Sequence, residues 1–193
     1  MLLAAGAFAV LAFRFAGTGP EAMSRLDRAL MHPRFHGRSA LEALTLIGAP
    51  ETVVAVAVLS AAIALLRGRH RLAAVALIGP ALTGAATTLL KPLIDRTVAD
   101  GALAFPSGHT AGAAALGLVA TIALIGVLRP GPTGALALLA AGSVPAAITG
   151  TSMVLLGAHY PTDVLGGYAT AVIAVLGSAL LLDRLAQWRT DRT

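Results

Sequence analysis

Residues 110–128 read TAGAAALGLVATIALIGVL, nineteen consecutive residues without a charged side chain. A helix of about 20 apolar residues is long enough to cross the hydrocarbon core of a bilayer. The Ala and Gly residues that recur through the stretch let neighbouring helices approach closely in lipid. Residues 110–128 therefore predict a membrane-spanning helix that packs against other helices.

The composition of the whole chain indicates the same environment. Of the 193 residues, 57% are hydrophobic and 12% are charged, and the mean hydropathy is +0.83. A soluble domain carries about 25% charged residues, so this chain is too poor in charge to cover a globule that faces water. The abundance of apolar residues also excludes a disordered chain. Because the sequence contains no cysteine, disulfides, thiolate nucleophiles and cysteine-based metal sites are excluded as well.

Five more segments are apolar enough to span a membrane. The six predicted spans are about 2–16, 46–66, 72–90, 110–128, 133–156 and 164–182. The first segment lacks the basic start and the cleavage site of a signal peptide, so we interpret it as a helix. No strand pattern of the membrane-barrel type is present. The sequence thus predicts an all-α polytopic membrane protein, a six-transmembrane-helix bundle that forms a single integral membrane domain over residues 1–193.

Basic and apolar residues are interspersed between spans one and two, over residues 18–45. The basic residues are Arg25, Arg28, Arg34 and Arg38, and the apolar ones are Leu26, Leu30, Met31 and Phe35. This pattern favours an interfacial amphipathic helix on the bilayer surface. A solvated loop is the alternative.

The distribution of arginine predicts the orientation. Arg67, Arg69 and Arg71 form a tight cluster between spans two and three, and short loops rich in arginine usually face the cytoplasm. Both termini are therefore predicted to be cytoplasmic. The connections after spans three and five are predicted to lie on the extracytoplasmic side of the cell membrane (the inner or plasma membrane). The net charge of +5 suits membrane lipids with anionic headgroups or phosphate ligands. The basic residues are scattered and lack an aromatic patch, so no nucleic acid partner is predicted.

The first outward connection ends in Pro106-Ser-Gly-His109, directly before the span quoted above. Ser107 is a favourable helix N-cap, and Gly108 lets the backbone approach a ligand closely. Free N–H groups at the start of a helix form an anion site, and His109 can exchange protons near neutral pH. An ordinary capped helix would explain Ser107 but not His109.

The second outward connection ends in His159-Tyr-Pro-Thr-Asp163. A carboxylate can hold an imidazole in one tautomer and stabilise its cation, as in nucleophilic catalysis. Asp163 also suits the N-cap of span six, and the two roles are compatible. Lys91, the single lysine beside 13 arginines, ends span three. A lysine at a helix end can simply extend to water, but arginine does so equally well, which indicates that a compact ammonium is needed at this position.

These residues resemble the type-2 phosphatidic acid phosphatases, within the superfamily of lipid phosphatases and vanadium haloperoxidases. The family pattern has three parts: K-x6-R-P, P-S-G-H and S-R-x5-H-x3-D. Here Lys91 begins the first part, residues 106–109 form the second, and Ser152, His159 and Asp163 belong to the third.

The resemblance implies a metal-independent membrane phosphatase that needs no cofactor. His159 would attack phosphorus and form a phosphohistidine, Asp163 would orient His159, and His109 would protonate the leaving oxygen. The phosphoryl oxygens would be bound by Lys91, Ser107 and the backbone of Gly108. The implied substrate is a lipid phosphate such as phosphatidic acid, phosphatidylglycerol phosphate or a polyprenyl phosphate or diphosphate.

The chain departs from the family at two arginines that would clamp the phosphate. Val98 and Met153 stand at these positions, and neither side chain can replace the bidentate, charge-assisted bonds of a guanidinium. Arg96, two positions before Val98, is the remaining candidate for phosphate binding. Three interpretations stay open: a working phosphatase in which Arg96 reaches the phosphate, a catalytically impaired relative that binds lipid phosphate or serves a structural membrane role, and a protein that binds a different ligand at the same site.

Overall fold

The computed structural model describes residues 1–31 and 37–190, and this part of the chain is almost entirely helical. The α-helices are α1 (Leu2–Phe15), α2 (Arg25–Leu30), α3 (Arg38–Thr45), α4 (Pro50–Leu66), α5 (His70–Ile94), α6 (Gly108–Leu128), α7 (Pro132–Leu155) and α8 (Pro161–Thr190). A short 3-10 helix, Leu46–Gly48, precedes α4, and an isolated antiparallel bridge pairs Thr97 with Leu103. The predicted all-α class is confirmed.

Four helices of the described chain, α5 to α8, are long and apolar enough to cross a membrane on their own. The pair Arg38–Gly48 and Pro50–Leu66 passes the same test together, as a fifth span bent by 42°. The helix α1 is apolar but has 14 residues, about 21 Å at 1.5 Å per residue, which is shorter than the hydrocarbon core of about 30 Å. The predicted spans at 72–90, 110–128, 133–156 and 164–182 therefore each fall on a long helix, while the count of six stays a prediction.

The helix α6 lies at the centre of the bundle and packs against α5, α7 and α8, while α5 also packs against α4 and α8. Most of the buried residues where these helices meet are alanines. They include Ala61, Ala73, Ala76, Ala113, Ala114, Ala115, Ala146 and Ala171. Because lipid offers little hydrophobic driving force between helices, close contact between small side chains is what holds such a bundle together.

Two glycines allow α6 and α7 to pack backbone to backbone. A Cβ on Gly117 would overlap the carbonyl oxygen of Gly142, and a Cβ on Gly142 would overlap the hydroxyl of Thr121. The Thr121 hydroxyl lies 2.9 Å from the carbonyl oxygen of Gly117 and 3.2 Å from that of Leu138 on α7. This contact leaves no room for a side chain at either glycine.

The region predicted to form an interfacial helix contains two helices, α2 and α3. Arg34 and Phe35, which are part of that prediction, lie outside the described residues. The helix α2 begins with a capping box, in which the Ser24 hydroxyl accepts from the Asp27 N–H at 3.0 Å and the Asp27 carboxylate accepts from the Ser24 N–H at 3.1 Å. Asp27 is fully buried and α2 packs against α8. One side of α2 therefore faces protein, and contact of its other side with the bilayer stays a prediction.

Gly117→Ala is expected to destabilise the α6–α7 contact, because the added methyl group must displace the α7 backbone rather than a flexible side chain. Overpacking of this kind costs about 1–3 kcal/mol. Gly126→Ala is a matched control on the same helix, since its new Cβ would meet only the end of the Arg69 side chain at 4.0 Å. Thermal unfolding in detergent should show a lower midpoint for Gly117→Ala alone. Equal midpoints for the two variants would contradict the tight α6–α7 approach.

Candidate functional site

The start of α6 is capped by Ser107, as the sequence predicts. The Ser107 hydroxyl accepts a hydrogen bond from the Thr110 N–H at 3.4 Å and lies 3.0 Å from the Thr110 hydroxyl. Ser107 is fully buried, whereas His109 is half-buried. The cap uses the Ser107 oxygen as an acceptor, so Ser107 stays a predicted phosphate ligand beside the N–H groups of the first helical turn, at Gly108 and His109.

The start of α8 brings His159 and Asp163 together. Nδ1 of His159 lies 3.6 Å from Oδ2 of Asp163, which is too long for a hydrogen bond. Among the described residues this buried nitrogen has no hydrogen-bond partner. Oδ2 of Asp163 accepts the Tyr160 N–H at 2.8 Å and so also caps the first turn of α8. The imidazole therefore turns Nδ1 toward the carboxylate, with Nε2 on the opposite side of the ring.

Lys91 lies in the last turn of α5, which continues through Pro92 to Ile94, one turn beyond the predicted end of the span. Its Nζ donates to the carbonyl oxygen of Leu103 at 2.8 Å, so the ammonium is held against the connection between α5 and α6. Asp95, four residues after Lys91, ends the helix in the left-handed conformation with a φ of 53°.

Backbone contacts fix the start of α6 to the start of α8. The Ser107 N–H donates to the carbonyl oxygen of Asp163 at 3.0 Å. A Cβ on Gly167 would overlap the carbonyl oxygen of Ser107, so α8 passes directly against the Pro-Ser-Gly-His backbone. On the other side, a Cβ on Gly48 would overlap the carbonyl oxygen of His109. The Pro-Ser-Gly-His segment is thus enclosed between α8 and the 3-10 helix that precedes α4.

This packing places the candidate side chains in one electrostatic neighbourhood. His109 lies within electrostatic reach of His159, Lys91 and Glu51, and Lys91 lies within reach of Asp163. Glu51, in the first turn of α4, carries no motif signal in the sequence. Two imidazoles, one ammonium and one carboxylate from the predicted set therefore interact electrostatically, while their part in phosphoryl transfer stays a prediction.

A cavity of about 790 Å³ opens beside Lys91 and His109. It is lined by α4, α5 and the start of α6, and it extends along α5 from Lys91 to Leu77, about 21 Å at 1.5 Å per residue. Most of the lining away from Lys91 and His109 is apolar. It includes Val53, Val54, Ala57, Val58, Leu77 and Ala81. A slot of this length suits an extended hydrocarbon chain whose polar end lies at Lys91 and His109.

Arg96, the predicted substitute phosphate ligand, lies in a buried ion cluster. Like His159 and Asp163, it is not among the residues that line the cavity. Nη1 donates to Oδ1 of Asp163 at 2.5 Å and to the Thr162 hydroxyl at 2.7 Å. Nη2 donates to Oδ2 of Asp27 at 2.9 Å. Both terminal nitrogens are thus bonded to carboxylates, while the buried Nε has no hydrogen-bond partner among the described residues.

Asp27 is held in the cluster by neutral and charged donors together. Its Oδ1 accepts from the Thr162 N–H at 3.0 Å and from the Thr162 hydroxyl at 2.9 Å. Burial raises the pKa of Asp27, but hydrogen bonds from Thr162, Ser24 and Arg96 outweigh burial and hold this pKa below its usual value. Asp27 is therefore ionised at neutral pH and balances part of the Arg96 charge.

The two positions that the resemblance aligns with family arginines are occupied by buried apolar side chains. Val98 is 4% exposed and packs with Ala104 and Tyr160 in a small apolar cluster. Met153 is 7% exposed in the last turn of α7, just before the turn that leads to His159. Neither position supplies a cation to the cavity.

The sequence profile of the PAP2 superfamily matches residues 3–186 of the 193-residue chain. The chain belongs to the PAP2 superfamily. The resemblance inferred from Lys91, the Pro-Ser-Gly-His segment and the His159–Asp163 pair is confirmed by this match.

A solved structure with the same fold is a transmembrane PAP2-type phosphatidylglycerolphosphate phosphatase from Bacillus subtilis. The TM-score is 0.69 at 21% sequence identity, and the match covers 96% of this chain and 95% of that chain. At this identity the likeness establishes the fold alone. The PAP2 fold and the long apolar helices make this chain an integral membrane protein. A comparison with curated protein sequences gave no match.

Asp27 and Phe15 contact Arg96, but no motif in the sequence points to either residue. The Arg96 guanidinium carbon lies 3.8 Å from the centroid of the Phe15 ring and 4.3 Å from that of Tyr160. Ser24 and Asp27 have the spacing of a capping box, which predicts a helix start but not a buried carboxylate. Asp27 and Phe15 come from the N-terminal part of the chain, far in sequence from every PAP2 motif, and no spacing rule links them to Arg96.

Val98→Arg is expected to destabilise the protein, although it restores the arginine of the family pattern. The side chain would enter an apolar cluster, and burying an unpaired charge costs more than the roughly 2–7 kcal/mol of an unpaired neutral polar group. Val98→Ile is the apolar control. Thermal unfolding should show a lower midpoint for Val98→Arg and little change for Val98→Ile. A stable Arg variant that binds inorganic phosphate more tightly would show that the new side chain reaches the site instead.

Proposed function

We propose that this PAP2 superfamily member is a membrane phosphatase that hydrolyses a lipid phosphate or diphosphate. The observation that carries the proposal is the cavity, whose polar end has Lys91 and His109 and whose apolar part follows α5 for about 21 Å. A phosphorylated lipid is divided in the same way, into an anionic headgroup and a hydrocarbon chain. Phosphatidic acid, phosphatidylglycerol phosphate and polyprenyl phosphate or diphosphate share this chemistry.

In the first step, Nε2 of His159 attacks phosphorus. The N–P bond forms as the bond between phosphorus and the lipid oxygen breaks, which gives a phosphohistidine. His109 donates its proton to the leaving oxygen, and Asp163 stabilises the positive charge of the His159 ring. The orientation of Nδ1 toward Asp163 at 3.6 Å and the closeness of the two histidines support these roles.

In the second step, water attacks phosphorus on the side opposite the His159 nitrogen. His109, now neutral, accepts a proton from the water, and the electron pair of the N–P bond returns to His159 as inorganic phosphate leaves. The proposed reaction uses no metal ion. Positive charge at the phosphate comes from Lys91 and from the N–H groups at the start of α6, including that of Gly108.

A catalytically impaired, lipid-binding protein is the second candidate, and the missing clamp favours it. Val98 and Met153 are apolar, Arg96 is bound to carboxylates, and Lys91 is the cation among the described residues that line the cavity. A hydrogen bond to a charged group contributes about 1.5–3 kcal/mol, so the loss of two weakens phosphate binding by more than about tenfold. A lipid substrate is concentrated in the same bilayer as the protein, which makes weak headgroup binding compatible with turnover.

For the membrane we propose six spans, with α1 as a short first span and about residues 46–66, which contain α4, as the second. The arginine cluster of residues 67–71 lies at the opposite end of α5 from Lys91. The rule that arginine-rich short loops face the cytoplasm then places Lys91 and the histidines on the extracytoplasmic side. Both termini are cytoplasmic in this arrangement.

Purified protein in detergent is expected to release inorganic phosphate from at least one lipid phosphate in a panel of the three classes named above. His159→Ala should abolish release because the attacking nitrogen is lost, and His109→Ala should slow it by about 10²–10⁴. His70→Ala, at the far end of α5, is the matched histidine control and should keep full activity. EDTA should leave the rate unchanged.

Three results would count against parts of this proposal. Binding of lipid phosphates without release by the wild-type protein would favour the impaired candidate. Undiminished turnover in His159→Ala would contradict the phosphohistidine step. Loss of activity in EDTA that Mg²⁺ restores would contradict the metal-free reaction.

Single cysteines in this cysteine-free chain test the orientation directly. Ala102→Cys, exposed in the connection between α5 and α6, should react with a membrane-impermeant maleimide added to intact cells. Arg67→Cys, exposed between α4 and α5, should react only after the membrane is opened; Arg69 and Arg71 remain to set the orientation. The reverse labelling pattern would place the site on the cytoplasmic side.

A further inference from the structure

The mechanism proposed above uses Asp163 but leaves two other members of its ion cluster without a role. Arg96 holds Asp163 at 2.5 Å with one terminal nitrogen and Asp27 at 2.9 Å with the other. All three side chains are 1% exposed or less. Water therefore screens these charges very little, and each acts strongly on its neighbours.

The charge balance of the cluster decides what His159 encounters. A pair formed by Asp163 and Arg96 alone would be neutral and would give little stabilisation to a positive imidazole ring. Asp27 adds a second carboxylate, so the cluster of three carries one net negative charge. The net charge that acts on His159 is then the same as that of a single carboxylate without a cation. In addition, the Arg96 guanidinium binds both carboxylates and holds Asp163 in place.

Asp27 also fixes the backbone beside Asp163. It accepts both the N–H and the hydroxyl of Thr162, the residue directly before Asp163. Asp27 is itself held by the Ser24 N–H in the capping box of α2. A carboxylate from the N-terminal part of the chain thus sets both the charge and the position of the first turn of α8.

We propose that Asp27 is a positioning residue for the nucleophile: it offsets the charge of Arg96, so that Asp163 keeps its negative charge for His159, and it fixes the start of α8. This inference rests on the proposed phosphatase function. Asp27 is bonded to Ser24, Arg96 and Thr162 and to neither histidine, so it acts on His159 through its neighbours. Its effect therefore falls on kcat rather than on substrate binding.

The test compares Asp27→Asn, Arg96→Gln and the double variant Asp27→Asn/Arg96→Gln in detergent, with kcat, KM and the thermal midpoint measured for each. Asp27→Asn keeps the shape of the side chain but leaves a neutral cluster. It should lower kcat by about 10–100-fold, the scale of a lost positioning interaction, with KM changed less than threefold. The double variant again has the charge of one carboxylate, and its kcat should recover to within about tenfold of wild type.

Two further variants calibrate the measurement. Asp163→Asn gives the kcat that remains when the carboxylate beside His159 is lost. Glu42→Gln changes an exposed carboxylate of α3 that pairs with Arg38, and this variant should have the kcat of the wild type. A merely structural role of Asp27 predicts the opposite order, since the double variant loses more contacts than either single one and should then be the least active. If Asp27→Asn does not fold, the test compares the double variant with Asp163→Asn. A clearly higher kcat in the double variant supports the proposal, and an equal kcat in the two variants overturns it.

The outcomes separate this inference from the proposed function. Active wild type with unchanged kcat in Asp27→Asn, or a double variant slower than both single variants, overturns the role of Asp27 alone. Wild type that releases no phosphate from any lipid in the panel overturns the proposed function, and the role of Asp27 with it.

Discussion

The way in which Asp163 is held is the constraint on which the rest of the site depends. Its side chain binds Arg96 and the Tyr160 N–H and faces Nδ1 of His159 at 3.6 Å, while its carbonyl oxygen accepts the Ser107 N–H. One residue thereby joins the loop after α5 and the starts of α6 and α8. A carboxylate bound from several directions cannot rotate away from the imidazole, which is why a separation longer than a hydrogen bond still defines the orientation of the ring.

The apolar bundle provides the rigid base for this polar junction. Gly167 lets α8 lie directly on the Ser107 backbone, and Gly117 with Gly142 lets α6 and α7 meet at their backbones. In lipid such contacts between small residues replace the hydrophobic core of a soluble protein. The polar groups of the candidate site lie at one end of the helices, where their hydrogen bonds are made within the protein. The long cavity along α5 then continues from that junction into the apolar part of the bundle.

Features that depend on residues close in sequence could be predicted, and those that depend on distant residues could not. The cap by Ser107 and the approach of His159 to Asp163 follow from spacings of three and four residues within one helix turn. The position of Arg96 was not predictable, because its partners lie 67 and 69 residues away along the chain. Asp27 reads from sequence as the cap of a surface helix, and only the fold shows that it is buried under α8. The extent of α1, predicted at about 2–16 and observed as Leu2–Phe15, by contrast follows from local hydropathy.

The commitment of Arg96 has a consequence for the missing clamp. Moving this guanidinium to a phosphate would leave Asp27 and Asp163 as two buried carboxylates without their shared cation, and breaking a buried ion pair costs about 3–5 kcal/mol. A phosphate bond gains about 1.5–3 kcal/mol, so Arg96 stays where it is. Near the polar end of the cavity, the positive charge of Lys91 is offset by the one net negative charge of the cluster formed by Arg96, Asp27 and Asp163. This end of the cavity therefore attracts a phosphate group only weakly. In the proposed phosphatase the hydrocarbon chain would then account for most of the substrate selection, and free phosphate, which has no such chain, would leave readily.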